Sequence, residues 1–272
     1  MRITFLGTGT SNGIPVVTCN CRVCRSQNPK NHRTRTSILI ETATTTILVD
    51  SSPDLREQAL REAISSIDAV LFTHAHADHT HGLDDLRPFC CGKSVYGYGD
   101  LNTIEDLRRR FDYVVDYRKW TPGRPRLMPK VVEPGQVLRI GDAEVLPVRI
   151  MHGEDPILGF RVEDFAYLTD CKSIPTESYP FLDGIKVVVL GALRYRRHPT
   201  HFSVAEAVEE AARIGAEATY LTHMCHDVEH EQLCDELPPA IRPAFDGLVL
   251  ERHNGRLRQS AGRGSLRSFI SE

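Results

Sequence analysis

The sequence predicts a layered α/β domain, and three observations predict it. Short apolar runs bounded by polar residues recur along most of the chain and read as buried strands. Two longer stretches between them repeat their apolar residues at helical spacing. Histidines and aspartates follow directly on several of the strand-like runs, so that one shared centre could draw on the ends of separate strands.

The strand-like runs lie at residues 2–6, 36–41, 46–50 and 68–72, then near 145–150, 157–162, 165–169, 186–190 and 218–221. Helical patterns cover Pro53 to Ile64 and Ser203 to Ile214. The second is well delimited: Ser203 can cap it, Glu206 stands three residues later as a capping-box partner, and Val204, Ala207, Val208, Ala211 and Ala212 make its apolar face. No repeat and no long low-complexity linker interrupts the chain, so residues 1–255 are expected to form one domain.

Two stretches stand apart. Residues 100–130 mix Arg108, Arg109, Arg110, Arg118, Arg124 and Arg126 with Phe111, Tyr113, Tyr117 and Trp120. They read as a solvated helix and loop, with a cap over a substrate or a partner surface as the alternative. Residues 256–272 are basic and rich in Ser and Gly, and read as a mobile C-terminal tail.

Composition narrows the classes. The 272 residues carry a formal net charge of −3, which supplies no global attraction for nucleic acid. The opening apolar stretch, Met1-Arg2-Ile3-Thr4-Phe5-Leu6-Gly7, is far too short for a signal segment or a membrane span, so a cytoplasmic location is expected. In that compartment the 8 cysteines argue for thiols and metal ligation ahead of disulfides.

The densest chemistry is Thr73-His74-Ala75-His76-Ala77-Asp78-His79, directly after the run Ala69-Val70-Leu71-Phe72. Imidazole and carboxylate are the ligands of zinc and its neighbours, and a short buried strand would deliver them to its own C-terminal end. His74 and His76, two apart, can face one ion, while Asp78 and His79 reach a second. His152, Asp170 and His223 each follow a further strand-like run, which makes them candidates to complete the centre.

With these residues in place the chain resembles a metallo-β-lactamase-fold hydrolase. The His74-to-His79 motif, the stations at His152, Asp170 and His223, and the opening Phe5-Leu6-Gly7-Thr8-Gly9-Thr10 occur in that superfamily's order, over residues 1 to about 250. The resemblance implies a four-layer αβ/βα sandwich with a dinuclear site at the edge between its two sheets. It also implies that His74, His76 and His152 hold one ion, Asp78, His79 and His223 the other, and that Asp170 bridges. Thiolate-using β-lactamases place Cys at the bridging station, whereas phosphodiesterases and thioesterases resemble this chain in using Asp. Cys171 is adjacent, yet a hard bridging oxygen suits two divalent ions better.

Thr18-Cys19-Asn20-Cys21-Arg22-Val23-Cys24 puts three thiols into six residues of a polar loop, within residues 7–35. With no helix N-terminus there to activate them, they fit a closed structural zinc site. His226, three residues after His223, is the expected fourth ligand, with Cys225 and His230 as alternatives.

Phosphodiester cleavage also needs a proton for the departing alkoxide. The phosphodiesterase branch has a His between the bridging Asp and the last metal His, and His201, ahead of the capped helix, matches it where His198 does not. The CxCxxC loop, His226 and His201 together make the chain similar to the PhnP-type cyclic-phosphate phosphodiesterases. That resemblance implies two Mn²⁺ or Zn²⁺ ions, one structural Zn²⁺, and a bridging hydroxide that attacks phosphorus in line. Asp78 would help orient or deprotonate the water, and His201 would protonate the leaving oxygen. It further implies a small phosphodiester substrate such as a phosphoribosyl 1,2-cyclic phosphate or a 2′,3′-cyclic nucleotide, no membrane partner, and a chain compatible with a homodimer. The nearest rival is a tRNA 3′-end processing endonuclease of the same fold, disfavoured by the slightly acidic chain and the short arginine-rich stretch. A thioesterase or glyoxalase-like hydrolase is third, and a non-catalytic binding protein is the reading from a different class.

Overall fold

The computed structural model describes residues 1–115, 123–253 and 256–262. Among these residues two sheets lie in the middle of the molecule. The first is eight-stranded, in the order β15-β14-β1-β2-β3-β4-β5-β6, and the second seven-stranded, in the order β13-β12-β11-β10-β9-β8-β7.

The first sheet is built from β1 (Arg2–Gly7), β2 (Ser37–Glu41), β3 (Thr46–Val49), β4 (Ala69–Leu71), β5 (Val95–Gly99) and β6 (Leu127–Val131), with β14 (Leu248–His253) and β15 (Arg256–Ala261) returning to its first edge. The second holds β7 (Leu138–Ile140), β8 (Ala143–His152), β9 (Asp155–Val162), β10 (Phe165–Leu168), β11 (Val187–Gly191), β12 (Ala218–Thr222) and β13 (Ile241–Pro243). The helices are α1 (Leu55–Glu62), α2 (Ala77–Thr80), α3 (Leu101–Arg110), α4 (Asp112–Val115), α5 (Val204–Ile214) and α6 (His230–Glu236).

Alternation along the strands makes the layers. Ile47 and Val49 of β3 face the core shared by the sheets, and so do Val187 and Val189 of β11. Their neighbour Leu48 faces outward onto Leu55 of α1 and Ile104 and Leu107 of α3. Val188 and Leu190 face outward onto Val204, Ala207 and Ala211 of α5. Helix, sheet, sheet, helix is therefore the order of layers, with a separate apolar core at each of the three interfaces. This is the αβ/βα sandwich expected from the sequence.

The helix at 203–214 carries the expected capping box: the Ser203 hydroxyl faces the Glu206 N–H, and Glu206 accepts from the Ser203 N–H. Two expectations need revision. Arg256–Ala261, placed in the basic tail by the sequence, pair antiparallel with Leu248–His253 as the edge strand of the first sheet, and Leu257 packs on the inner core. Within 100–130 the chain forms α3 and α4 and then β6, which pairs in parallel with β5, so the stretch belongs to the sheet as well as to the surface. Tyr117, Arg118 and Trp120 of that stretch, and tail residues 263–272, lie outside the described residues. Among those described, no helix is long and apolar enough to cross a membrane.

Candidate metal centre

Parallel strands bring the His and Asp residues together because each reaches the same edge of the molecule at its C-terminal end. His74 leaves β4 and Asp170 leaves β10, while His223 leaves β12; β10, β11 and β12 run parallel in register. Asp170 and His223 both take positive φ (57° each), as does Asp50 (62°) at the end of β3. These turns carry strain that tightly packed surroundings must hold. Gly191 ends β11 between two of them, and a Cβ there would lie 2.9 Å from the Asp170 backbone nitrogen. Only glycine lets the strand ends come this close.

The side chains converge on the Asp170 carboxylate, which is buried. Its Oδ2 lies 3.5 Å from His79 Nε2, 3.9 Å from His74 Nε2 and 3.8 Å from His201 Nδ1, and its Oδ1 lies 3.4 Å from His223 Nε2. Asp78 Oδ2 approaches His79 Nε2 at 3.3 Å and His223 Nε2 at 3.6 Å. Asp78, His79, Asp170 and His223 thus form one compact group of ligand atoms, and His152, Asp170 and His201 another. The rings of His74, His76 and His152 pack on one another at 4.4 to 5.5 Å between centroids, with His76 at the solvent side.

Hydrogen bonds behind the site decide which nitrogens face inward. Asp50 is fully buried and accepts from the Thr73 N–H (2.9 Å), the Thr73 hydroxyl (2.9 Å) and His79 Nδ1 (2.7 Å). The Thr73 hydroxyl has one proton and gives it to Asp50, so toward His74 Nδ1 at 2.9 Å it is the acceptor. His152 Nδ1 donates to the Asp170 carbonyl at 2.9 Å. His74, His79 and His152 therefore keep Nδ1–H outward and turn the Nε2 lone pair into the site, the arrangement metal-ligating imidazoles need. Asp50 was missed by the sequence reading, which saw it as the last residue of a strand-like run.

Four buried nitrogens on this carboxylate pair have no hydrogen-bond partner: His74 Nε2, His79 Nε2, His223 Nε2 and His201 Nδ1. Each would cost about 1–3 kcal/mol if left unsatisfied. Electrostatics point the same way. Burial opposes charge on His79, yet Asp170, Asp50 and Asp78 raise it well above the usual imidazole range. The centre seeks positive charge, and the donor set fits divalent cations of the zinc and manganese type.

The thiols make a second, separate group. Cys19, Cys21 and Cys24 Sγ lie 3.2, 3.6 and 3.5 Å from His226 Nδ1. One nitrogen cannot hydrogen-bond three thiols at once, but a tetrahedral zinc with bonds of about 2.3 Å to sulfur and 2.05 Å to nitrogen has an S···N edge of ~3.6 Å. The four residues fit that ion. Of the alternatives, Cys225 Sγ accepts from the Asp227 N–H and His230 packs on Phe245. The cysteine loop is also tied to the His223–His226 turn without metal. The Met224 N–H donates to the Thr8 carbonyl, and buried Arg33 donates to the carbonyls of Cys225 and Val228.

Beside His74, His76 and His152 opens a cleft of about 390 Å³, walled on its far side by α3 and the β9 entrance. Arg110 donates to the Ala75 carbonyl at 2.7 Å and so fastens α3 to the histidine loop.

Residues 45–224 match the family model described as a beta-lactamase superfamily domain. A crystal structure of a new diphosphatase from the PhnP family superposes with a TM-score of 0.86 at 39% identity, covering 93% of this chain and 98% of that one. The chain belongs to the PhnP family of this superfamily. The PhnP-family chain is also 43% identical over 251 residues to an octanoyltransferase of Porphyromonas gingivalis, 91% of this chain but 51% of that protein. It thus spans about half the length of that relative. A ribonuclease Z of Methanopyrus kandleri is 26% identical over 276 residues, 82% of this chain and 93% of that protein.

Proposed function

We propose that this protein is a metal-dependent phosphodiesterase that hydrolyses a small cyclic phosphate diester, of the phosphoribosyl 1,2-cyclic phosphate or 2′,3′-cyclic nucleotide type. The position of His201 carries this reading. It is a buried imidazole that stacks on His223 at 4.9 Å, meets His152 at 4.6 Å and lies 3.8 Å from Asp170. A hydrolase that only activates water has no use for a further histidine there, whereas an alkoxide leaving a phosphodiester needs a proton.

His74, His76 and His152 would hold one divalent ion, Asp78, His79 and His223 the other, with Asp170 between them; Mn²⁺ and Zn²⁺ both suit these donors. When bound there, such a pair would lower the pKa of water from about 15.7 toward ~7 and neutralise charge on the phosphoryl oxygens. Asp78 orients the attacking water, and His201 gives its proton to the departing oxygen. Burial, reinforced by His223, His152 and His198, lowers His201 to about 3 against the pull of Asp170. The imidazole is therefore neutral until the negative charge of the phosphate arrives beside it. Zinc on Cys19, Cys21, Cys24 and His226 would stiffen the turn that carries His223.

A phosphoric anhydride substrate is the second reading, favoured by the similarity to a diphosphatase. Its leaving phosphate needs no proton, so the two readings separate on His201. The test is turnover by the metal-loaded protein of a panel of 1,2- and 2′,3′-cyclic phosphates, linear dinucleotides, diphosphates and tRNA precursors. Preference for the cyclic diesters is expected. Preference for tRNA with a steep loss of binding in salt would replace the reading with an RNA-processing one.

A further inference from the structure

Three hydroxyls from different strands meet between the two sheets, and none has a role in the chemistry proposed above. Thr36 stands at the head of β2 in the first sheet, Tyr167 lies within β10 and Thr222 ends β12 in the second, and all three are buried. The Tyr167 hydroxyl lies 3.1 Å and the Thr222 hydroxyl 3.0 Å from Thr36 Oγ1, which also lies 3.3 Å from the Gly7 carbonyl.

The proton count fixes the direction of these bonds. A carbonyl can only accept, so Thr36 gives its one proton to Gly7 and uses its two lone pairs to accept from Tyr167 and Thr222. Every proton of the group is then used, and both bonds between the sheets run from the second to the first. Burial, with Asp50 and Asp170 nearby, holds the Tyr167 phenol above its usual range, so it stays a donor at every working pH.

Each member is a short step of backbone from the site. Tyr167 precedes Asp170 by three residues, Thr222 directly precedes His223, and Thr36 precedes Ser37, whose hydroxyl donates to the carbonyls of Val49 and Asp50 at 3.0 and 2.9 Å. The residues so reached, Asp50, Asp170 and His223, all take positive φ, which only a surrounding that over-determines them can hold.

The metal centre makes a demand that such a tie meets. Its ligands come from both sheets: His74, Asp78 and His79 follow β4 of the first, while His152, Asp170 and His223 belong to the ends of β8, β10 and β12 of the second. The two sheets share no strand ladder among the described residues. Apolar contact across the core is non-directional, whereas a hydrogen bond is set in length and angle.

We propose that Thr36, Tyr167 and Thr222 are positioning residues that set the distance between the ligands carried by the first sheet and those carried by the second. The inference rests on the dinuclear assignment and not on which ester is cleaved, and its test uses no substrate.

Zinc-loaded protein is titrated with a chromophoric chelator at a temperature where each variant is folded by circular dichroism. Tyr167→Phe should weaken retention of the active-site ions about tenfold, the low end of the range for groups that orient metal ligands, and leave the thiol-bound zinc unchanged. Tyr220→Phe is the control, because that hydroxyl is buried in the same core on β12 with no hydrogen-bond partner among the described residues; it should leave every step within about twofold of wild type. Thr222→Val should repeat the loss, and Thr222→Ser, which keeps the hydroxyl, should restore retention. With Co²⁺ in place of zinc, the visible bands of the active-site ions should shift in Tyr167→Phe and Thr222→Val but not in Tyr220→Phe. A lower melting temperature with retention and bands unchanged would make the hydroxyls packing alone and overturn the proposal, as would equal losses in Thr222→Val and Thr222→Ser. Should Tyr167→Phe not fold, the Thr222 pair decides by itself.

Discussion

Replacing Asp50 by Asn removes one negative charge from beneath the metal centre and keeps the shape of the side chain. In the native chain all three of its partners are donors: His79 Nδ1 and the Thr73 hydroxyl on Oδ2, and the Thr73 N–H on Oδ1. A carboxamide offers one oxygen and one NH₂ group. With its oxygen toward His79, the NH₂ meets the Thr73 N–H; turned over, it meets His79 and the hydroxyl. At least one hydrogen bond is lost, and any bond kept loses its charge assistance, a change of about 1.5–3 kcal/mol. Burial already pushes the Asp50 carboxyl up, so relief of that cost keeps the net effect within this range. A weakened hold on His79 corresponds to a 10- to 100-fold loss of affinity for the ion held by Asp78, His79 and His223. Titration of metal-free protein against a chromophoric chelator would read the steps separately. One active-site step should weaken by that factor, and the thiol-bound zinc should not change. Active-site steps within twofold of wild type would refute the assignment of Asp50 as the group that orients His79.

Three further outcomes follow from the geometry. His201→Ala should slow diesters with poor leaving groups by about 10²- to 10⁴-fold and activated aryl diesters far less, with both active-site ions retained by metal analysis; loss of an ion with equal losses on both substrates would make His201 a ligand. Cys21→Ser should release one zinc per chain and lower the melting temperature while the dinuclear pair still loads, so an inactive variant that keeps all its zinc would contradict the structural role. Burial opposes ionisation of Glu206, but hydrogen bonds from Ser203 and Lys172 prevail and hold it at about 2, below its usual 4.5. Its contribution to stability is present above pH 4.5 and lost as pH falls toward 2, and Glu206→Gln should flatten that part of the melting temperature profile.

The fold was legible where the strands are buried on both faces. Continuous apolar runs such as Val187-Val188-Val189-Leu190 need no alternation to be recognised, because a layer covers each side. The sequence reading missed β5 (Val-Tyr-Gly-Tyr-Gly), β6 (Leu-Met-Pro-Lys-Val), the short β7 and β13, β14 (Leu-Val-Leu-Glu-Arg-His) and β15 (Arg-Leu-Arg-Gln-Ser-Ala). Four of them, β6, β7, β13 and β15, are edge strands, and edges take proline and charge to block further pairing. In β15 the arginines made a strand look like a tail, although Leu257 points to the core.

The candidate site was legible for a related reason. His74, Asp170 and His223 stand one to three residues beyond apolar strands, so burial of the strand announces the position of the polar residue after it. Asp50 occupies the same kind of position after Ile47-Leu48-Val49 and went unread, because Asp-Ser-Ser-Pro is also how a turn into a helix is written. What distinguishes it is a partner 29 residues away: His79 needs an acceptor at Nδ1 before its Nε2 can face a metal. Ligands can be read from residue type and strand ends, but the groups that orient them are defined by pairing across strands. β3 and β4 run parallel in register, and that register puts Asp50 beneath Thr73 and His79. A shift of one residue between those strands would leave every ligand in the sequence and separate His79 from its acceptor.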